Sequence, residues 1–418
     1  MSFGAMTFQA SASLGAIIAG LAIDDAVAVL HGGAGCDIKL HVLLHEHAPG
    51  GAVHRRLICT KIHEDELVFD PGETLAQAIK DMSGRLDAQM AVVSTATFIE
   101  ISGLDRDHVM DQLAALVDIP AVYVYAPDVD GDMFLGYERA LTSIVKYFVG
   151  RVEPRPEDVR AKRVNLIGYF LDRQGAEHRA NIKAAAAMLE ALGLALNVTL
   201  LDGSPAARLY DLGDAELNVA FPLGVKAAKV LARKLDQRTL ELAPPIGTAN
   251  TATFIRALAA EFGAVDAGEA YIAREERRVG QRVREACAPL VGLRVAAFAD
   301  GERLAGLLGI CRDLRMVPVI AGCLDGRPEH IDTELWPDVD VLAEPSLNET
   351  ARRLRRAVDE ADVDLVIGSQ HEVDMGAQVG LKGVEFGFPC KRYQALVEMP
   401  YWGYDGVLTL AQRTLEQL

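Results

Sequence analysis

The stretch Val29-Leu30-His31-Gly32-Gly33-Ala34-Gly35-Cys36 decides how this chain of 418 residues is read. The run from Ala26 to Leu30 is apolar and reads as a buried β-strand. A glycine turn follows, and a cysteine stands at the mouth of the next helix. Gly32, Gly33 and Gly35 let the backbone turn sharply and bring its N–H groups close to a bulky neighbour. A thiol at a helix N-terminus is biased toward thiolate, the form that binds metal. An anionic iron–sulfur cluster, whose sulfides accept backbone N–H bonds, suits such a turn. A plain strand-to-helix turn with a buried cysteine is the alternative that the motif leaves open.

Around this stretch the chain is 50% hydrophobic and 24% charged, the balance of a globular protein. Its length exceeds what one core supports, so two or three domains are expected. A net charge of −17 argues against nucleic acid and against an anionic membrane surface, and it suits docking of a basic partner. No apolar run reaches the ~20 residues of a spanning helix. The first residues lack the charged-then-apolar layout of a secretory signal, so a cytoplasmic location is expected. The cysteines are Cys36, Cys59, Cys287, Cys311, Cys323 and Cys390, and none forms a CxxC pair. If Cys36 holds a cluster, its other ligands come mainly from another chain. The last four cysteines sit in apolar surroundings and read as core. His41 and His45 share a helix face at zinc-like spacing, but no third ligand accompanies them.

Working outward, strands alternate with helices along the whole length, which implies parallel sheets in right-handed βαβ units. The expected fold is α/β, with three Rossmann-like domains of parallel sheet flanked by helices. Residues 1–155 form the first, 156–290 the second, and 291–418 the third with a C-terminal helix. A small-residue helix opens near Ser11-Ala12-Ser13, with Ser11 or Ser13 as its cap. The segment from Cys59 to Gly72 reads as an acidic surface loop carrying Glu64, Asp65, Glu66 and a lone Phe69, a candidate docking anchor. The strand Met90–Ser94 ends in Ser94-Thr95-Ala96-Thr97-Phe98-Ile99-Glu100, a polar run at the strand end where α/β proteins place their sites. No GxxxxGK[ST] phosphate loop occurs.

Four stretches together resemble nitrogenase component 1 and its relatives, on the β-type side. These relatives include the cofactor-assembly scaffold, the dark-operative tetrapyrrole reductases and methylthio-alkane reductase. His31-Gly32-Gly33-Ala34-Gly35-Cys36 resembles the HGxxGC cluster turn, and Ser94 to Glu100 resembles STTCxxE. Glu64-Asp65…Val68-Phe69 is similar to the β-chain segment that touches the ATP-driven iron protein. Phe386-Gly387-Phe388-Pro389…Trp402-Gly403-Tyr404-Asp405-Gly406 is similar to the β-type GFP…WGYxG ending.

The resemblance implies an α-type partner, an α2β2 assembly and an ATP-hydrolysing iron protein as electron donor, docked through Phe69, Glu64, Asp65 and Glu66. It also implies a bridging iron–sulfur cluster held by Cys36, with Gly33, Gly35, Ser11 and Thr97 around it. Nitrogenase β chains place three cysteines in this region. Here Ser11 takes the place of the first and Thr97 the place of the last. One thiolate fits a [4Fe–4S] cluster completed by the partner. A P-type cluster completed by Ser11 or Thr97 is the alternative. No catalytic residue is assigned within this chain. A reductase subunit and a cofactor-assembly scaffold are both implied readings. A solute-binding α/β protein would share the repeated units but not the glycine–cysteine turn.

Overall fold

Residues 26–31 and 90–95 are buried at every position. Strands of this kind have both faces covered and read as unbroken apolar runs. They form the centre of the first of three parallel sheets. A computed structural model describes residues 10–47, 54–63, 65–66, 71–170, 177–331, 334–390 and 397–418.

The first sheet contains β1 (Ala26–His31), β2 (Leu57–Cys59), β3 (Met90–Thr95) and β4 (Ala121–Val124), in the order β2-β1-β3-β4. All three pairings are parallel. Helices α1 (Ala12–Leu21), α2 (Ile38–His47), α3 (Pro71–Leu86), α4 (Thr97–Ile101), α5 (Arg106–Leu116) and α6 (Met133–Val149) accompany it. On one face Val27, Val29 and Val93 pack with Leu75, Ile79, Val109 and Leu113. Such side chains each contribute ~1.5–3 kcal/mol on full burial.

Helix α1 is buried along its entire length. A Cβ on Gly15 would overlap the Met133 carbonyl, and one on Gly136 would overlap the Ala12 carbonyl. Only glycine lets α1 and α6 approach this closely. The starts of the two helices are tied reciprocally: Ala12 N–H donates to Gly131 O at 3.1 Å and Met133 N–H to Ala10 O at 3.0 Å. The Arg56 guanidinium holds the other end of α1, donating to Leu21 O at 3.0 Å and Ala26 O at 3.1 Å.

The second sheet has the order β6-β5-β7-β8, with β5 (Arg163–Ile167), β6 (Ala195–Thr199), β7 (Leu217–Ala220) and β8 (Arg238–Glu241). A row of amides crosses its interior. Asn197 donates to Asn165 at 2.8 Å, Asn165 to Asn218 at 2.9 Å, and Asn218 to Gln237 at 3.0 Å. The third sheet has the order β11-β10-β9-β12-β13, with β9 (Arg294–Ala299), β10 (Val317–Cys323), β11 (Asp340–Ala343), β12 (Leu365–Gly368) and β13 (Lys382–Glu385). The chain groups into two compact units: Met1–Arg173 with Leu196–Glu241, and Gln174–Ala195 with Leu242–Leu418. The first contains the first sheet and nearly all of the second, and the other contains the third.

Two local expectations are corrected. Ser11 occupies the N-cap position of α1, but neither it nor Ser13 caps the helix with its side chain. The Ser11 and Ser13 hydroxyls instead face each other at 3.4 Å. Cys59 does not open a loop but ends strand β2, opposite Leu30 of β1. No helix among the described residues is long and apolar enough to cross a membrane.

Candidate functional site

Strand β1 delivers His31 to the carboxyl end of the first sheet, and the turn 32–37 links it to α2. Gly35 adopts φ +92°, a conformation that a side chain would strain. A Cβ on Gly32 would lie 3.1 Å from Ala96 Cβ and 3.2 Å from Cys36 Cβ, so the turn folds tightly over its own cysteine. Cys36 is half-buried and its thiol forms no disulfide. The turn closes through Cys36 N–H on Gly33 O at 3.2 Å. Among the described residues, the N–H groups of Gly33, Ala34 and Gly35 have no protein acceptor.

The base of the turn is fixed from β2. The Thr60 hydroxyl accepts the Gly32 N–H at 3.0 Å, donates to Gly32 O at 3.2 Å, and meets His31 Nδ1 at 3.0 Å. His31 is fully buried, and its Nε2 has no partner among the described residues. Burial lowers its pKa to about 4, although Glu100 and Glu66 pull the other way, so the ring is neutral near pH 7. Cys59 lies against the same turn, its thiol 3.6 Å from Gly33 O and 3.7 Å from Gly32 O. Burial pushes that thiol up, and Asp37 and Cys36 add to the rise.

The polar run after β3 forms the neighbouring wall. Thr97 opens α4, and its hydroxyl accepts the Asp128 N–H at 3.0 Å. Asp128 Oδ1 in turn accepts the Ser13 N–H at 3.1 Å. Asp128 therefore ties Thr97 to the Ser11–Ser13 start of α1, a connection with no signature in the sequence. Glu100 binds the Arg106 guanidinium at 2.8 Å and accepts from the Thr95 and Tyr123 hydroxyls. Burial and this bond to Glu100 raise the Tyr123 pKa.

Phe98 and Ile38 are 43% and 61% exposed and form an apolar rim beside the turn. Phe98 Cζ would lie 3.5 Å from a Cβ on Gly33 and Ile38 Cδ1 3.7 Å from one on Gly35. His41 is engaged by Asp37 at 3.2 Å. Glu66 accepts the His63 N–H at 2.8 Å and the Thr74 hydroxyl at 3.3 Å, while Asp65 is exposed. Glu64 and Phe69 lie outside the described residues. Cys287, Cys311 and Cys323 are buried, and Cys390 is half-buried with its thiol on Gly387 O at 2.7 Å.

The donor set fits an iron–sulfur cluster in chemistry but not in number. Cys36 offers a soft sulfur donor, and the three N–H groups without an acceptor among the described residues can meet sulfide. Among the described residues no three His, Cys, Asp or Glu side chains gather as a metal site. A cluster at Cys36 needs ligands beyond those that the described residues gather there.

Residues 11–418 match the family of nitrogenase component 1 type oxidoreductases, and the chain belongs to it. One relative is the nitrogenase iron-iron protein beta chain of Rhodobacter capsulatus, 23% identical over 95% of this chain and 90% of its own length. A chain of the light-independent protochlorophyllide reductase of Cereibacter sphaeroides is also 23% identical, over 88% of this chain and 71% of its own. A solved structure of nitrogenase Cp1 at pH 6.5 superposes with a TM-score of 0.80 at 21% identity, covering 98% of this chain and 92% of that one.

Proposed function

We propose that this chain is the β-type subunit of a nitrogenase-like, ATP-dependent reductase in the cytoplasm. It shares a bridging iron–sulfur cluster with a homologous α-type partner, in an α2β2 assembly. An ATP-hydrolysing iron protein docks on the segment of Glu64, Asp65, Glu66 and Phe69 and supplies electrons. The substrate site lies in, or is shared with, the partner chain. When bound, the cluster supplies one-electron transfer at low potential.

The observation that carries this reading is Cys36, a half-buried thiol on a turn whose three neighbouring N–H groups have no acceptor among the described residues. The exposed ring of Phe98 and the side chain of Ile38 border that turn and suit the face of a second chain. The Rhodobacter capsulatus relative is called a beta chain, a name that implies a companion chain.

A [4Fe–4S] cluster is favoured over a P-type cluster. Of the oxygens at the two places where nitrogenase β chains carry cysteine, Thr97 Oγ1 is bound to Asp128 N–H and Ser11 Oγ faces Ser13. Within this reading we favour a carbon–sulfur bond of a methylthio-alkane as substrate. The incomplete cysteine set makes dinitrogen the less favoured one. The same single thiolate also suits a cofactor-assembly scaffold, which would hold a transferable precursor without rapid turnover.

The test is anaerobic co-purification with the α-type partner, followed by iron analysis and EPR. About four irons per αβ unit with a reducible signal are expected, and Cys36→Ala should abolish both while the chains still assemble. Unchanged iron in that variant would exclude Cys36 as a ligand. Substrate reduction driven by the iron protein and ATP separates a reductase from a scaffold.

A further inference from the structure

Cys59 stands at the end of β2, and its thiol rests on two successive carbonyls of the cluster turn. It lies 3.7 Å from Gly32 O and 3.6 Å from Gly33 O. Gly32 O is held three ways, since the Ile62 N–H at 3.0 Å and the Thr60 hydroxyl at 3.2 Å also donate to it. Among the described residues Gly33 O has two donors, the Cys36 N–H that closes the turn and the Cys59 thiol.

The geometry of a trans peptide gives these contacts a consequence. The C=O and the following N–H of one peptide plane point in opposite directions. Holding Gly32 O and Gly33 O against β2 therefore turns the N–H groups of Gly33 and Ala34 away from β2. These are two of the three N–H groups that lack an acceptor among the described residues. Gly33 is half-buried and Ala34 exposed, so both stand on the open side of the turn.

We propose that Cys59 is a positioning residue for the cluster bound at Cys36: its S–H anchors the Gly32 and Gly33 carbonyls and so aims the Gly33 and Ala34 N–H groups at cluster sulfide. It donates a weak hydrogen bond and is not itself a ligand. This rests on the reading of Cys36 as a cluster ligand. N–H bonds to sulfide stabilise the reduced, more negative cluster and raise its potential. Loosening the two peptide planes removes part of that stabilisation.

The experiment compares Cys59→Ala, Cys59→Ser and Cys36→Ala in the anaerobically purified complex with the partner. Iron content, the EPR spectrum and the midpoint potential are read for each. Cys59→Ala should keep the iron of the wild type but shift the potential downward and alter the EPR line shape. Cys59→Ser, which retains a donor, should restore part of the shift. An unchanged potential and spectrum in Cys59→Ala would overturn the proposal, leaving Cys59 as packing. Iron lost from Cys59→Ala in a folded complex would also overturn it, because Cys59 would then be a ligand. Iron retained in Cys36→Ala, or absent from the wild type, would instead refute the cluster reading beneath it.

Discussion

Asp128 donates its backbone N–H to the Thr97 hydroxyl at 3.0 Å while its carboxylate accepts the Ser13 N–H at 3.1 Å. One residue thus bridges the start of α1 and the start of α4, the two places that the resemblance matches to cysteines of nitrogenase β chains. The hydroxyl at the second place is committed to the protein. Thr97→Val should therefore leave the iron content unchanged and cost about 1 kcal/mol of stability, the net worth of one hydrogen bond. Denaturant unfolding and iron analysis of the purified complex check both. A fall in iron would show that Thr97 contributes a ligand after all.

The close crossing of α1 and α6 supports that bridge. A Cβ on Gly136 would overlap the Ala12 carbonyl, and backbone cannot step aside as a flexible side chain can. Gly136→Ala should destabilise by about 1–3 kcal/mol or more. Gly84 in α3 is the control, because a Cβ there meets nothing within 4 Å. Gly84→Ala should stabilise by roughly 0.5–1 kcal/mol through helix propensity alone. Thermal unfolding of the two variants should move in opposite directions.

Much of this architecture is legible in the sequence because parallel strands covered on both faces write themselves as apolar runs. The apolar run before Gly32 spans Ala26 to Leu30, and β1 is Ala26–His31. Helix α6 starts at Met133, where Asp132 caps it by accepting the Leu135 N–H at 2.9 Å. The edge strands β2 and β8 leave no such mark. β2 has three residues and β8 four, too few to show a period, and β8 is partly exposed. The site is legible at Cys36, where glycine and cysteine sit side by side. Cys59 is not, because its approach to the turn comes from pairing β2 beside β1. Asp128 and the amide row of Asn197, Asn165, Asn218 and Gln237 join residues tens of positions apart, which no local pattern records.

His31 gives the fold a defined acid sensitivity. The unfolded chain takes up a proton near the ordinary histidine value of 6.5, and the folded chain only near 4. Between these values the unfolded state binds more protons, so stability falls as pH drops through that window and levels off below it. The loss is on the order of 3 kcal/mol at pH 4, at about 1.4 kcal/mol for each pKa unit. His31→Gln retains a group that can meet Thr60 and cannot titrate. Its unfolding free energy should vary less with pH between 6.5 and 4 than that of the wild type. Parallel curves for the two proteins would assign the acid sensitivity elsewhere.

The third sheet carries the opposite pH dependence. Asp300 caps the helix Gly301–Asp313, accepting the Arg303 N–H at 3.3 Å, and Asp325 Oδ1 accepts the Gly301 N–H at 2.9 Å. Glu302 is a third carboxyl in this first turn. Burial, reinforced by Asp300 and Asp325, pushes its pKa up to about 9 against the pull of Arg327 and Arg303. The folded chain holds this proton where the unfolded chain has released it. Stability from Glu302 is thus present below about pH 4.5 and is lost as pH rises through the window toward 9. Glu302→Gln keeps the shape and hydrogen-bonding ends of the neutral acid while removing the titration. It should stabilise the protein at pH 8 by on the order of 1–2 kcal/mol, a figure reduced from the full shift because the side chain is only partly buried. At pH 4.5, where the native acid is protonated, the two proteins should unfold at nearly the same denaturant concentration. Equal stability at pH 8 would mean that Glu302 is ionised in the folded chain, screened by Arg303 and Arg327.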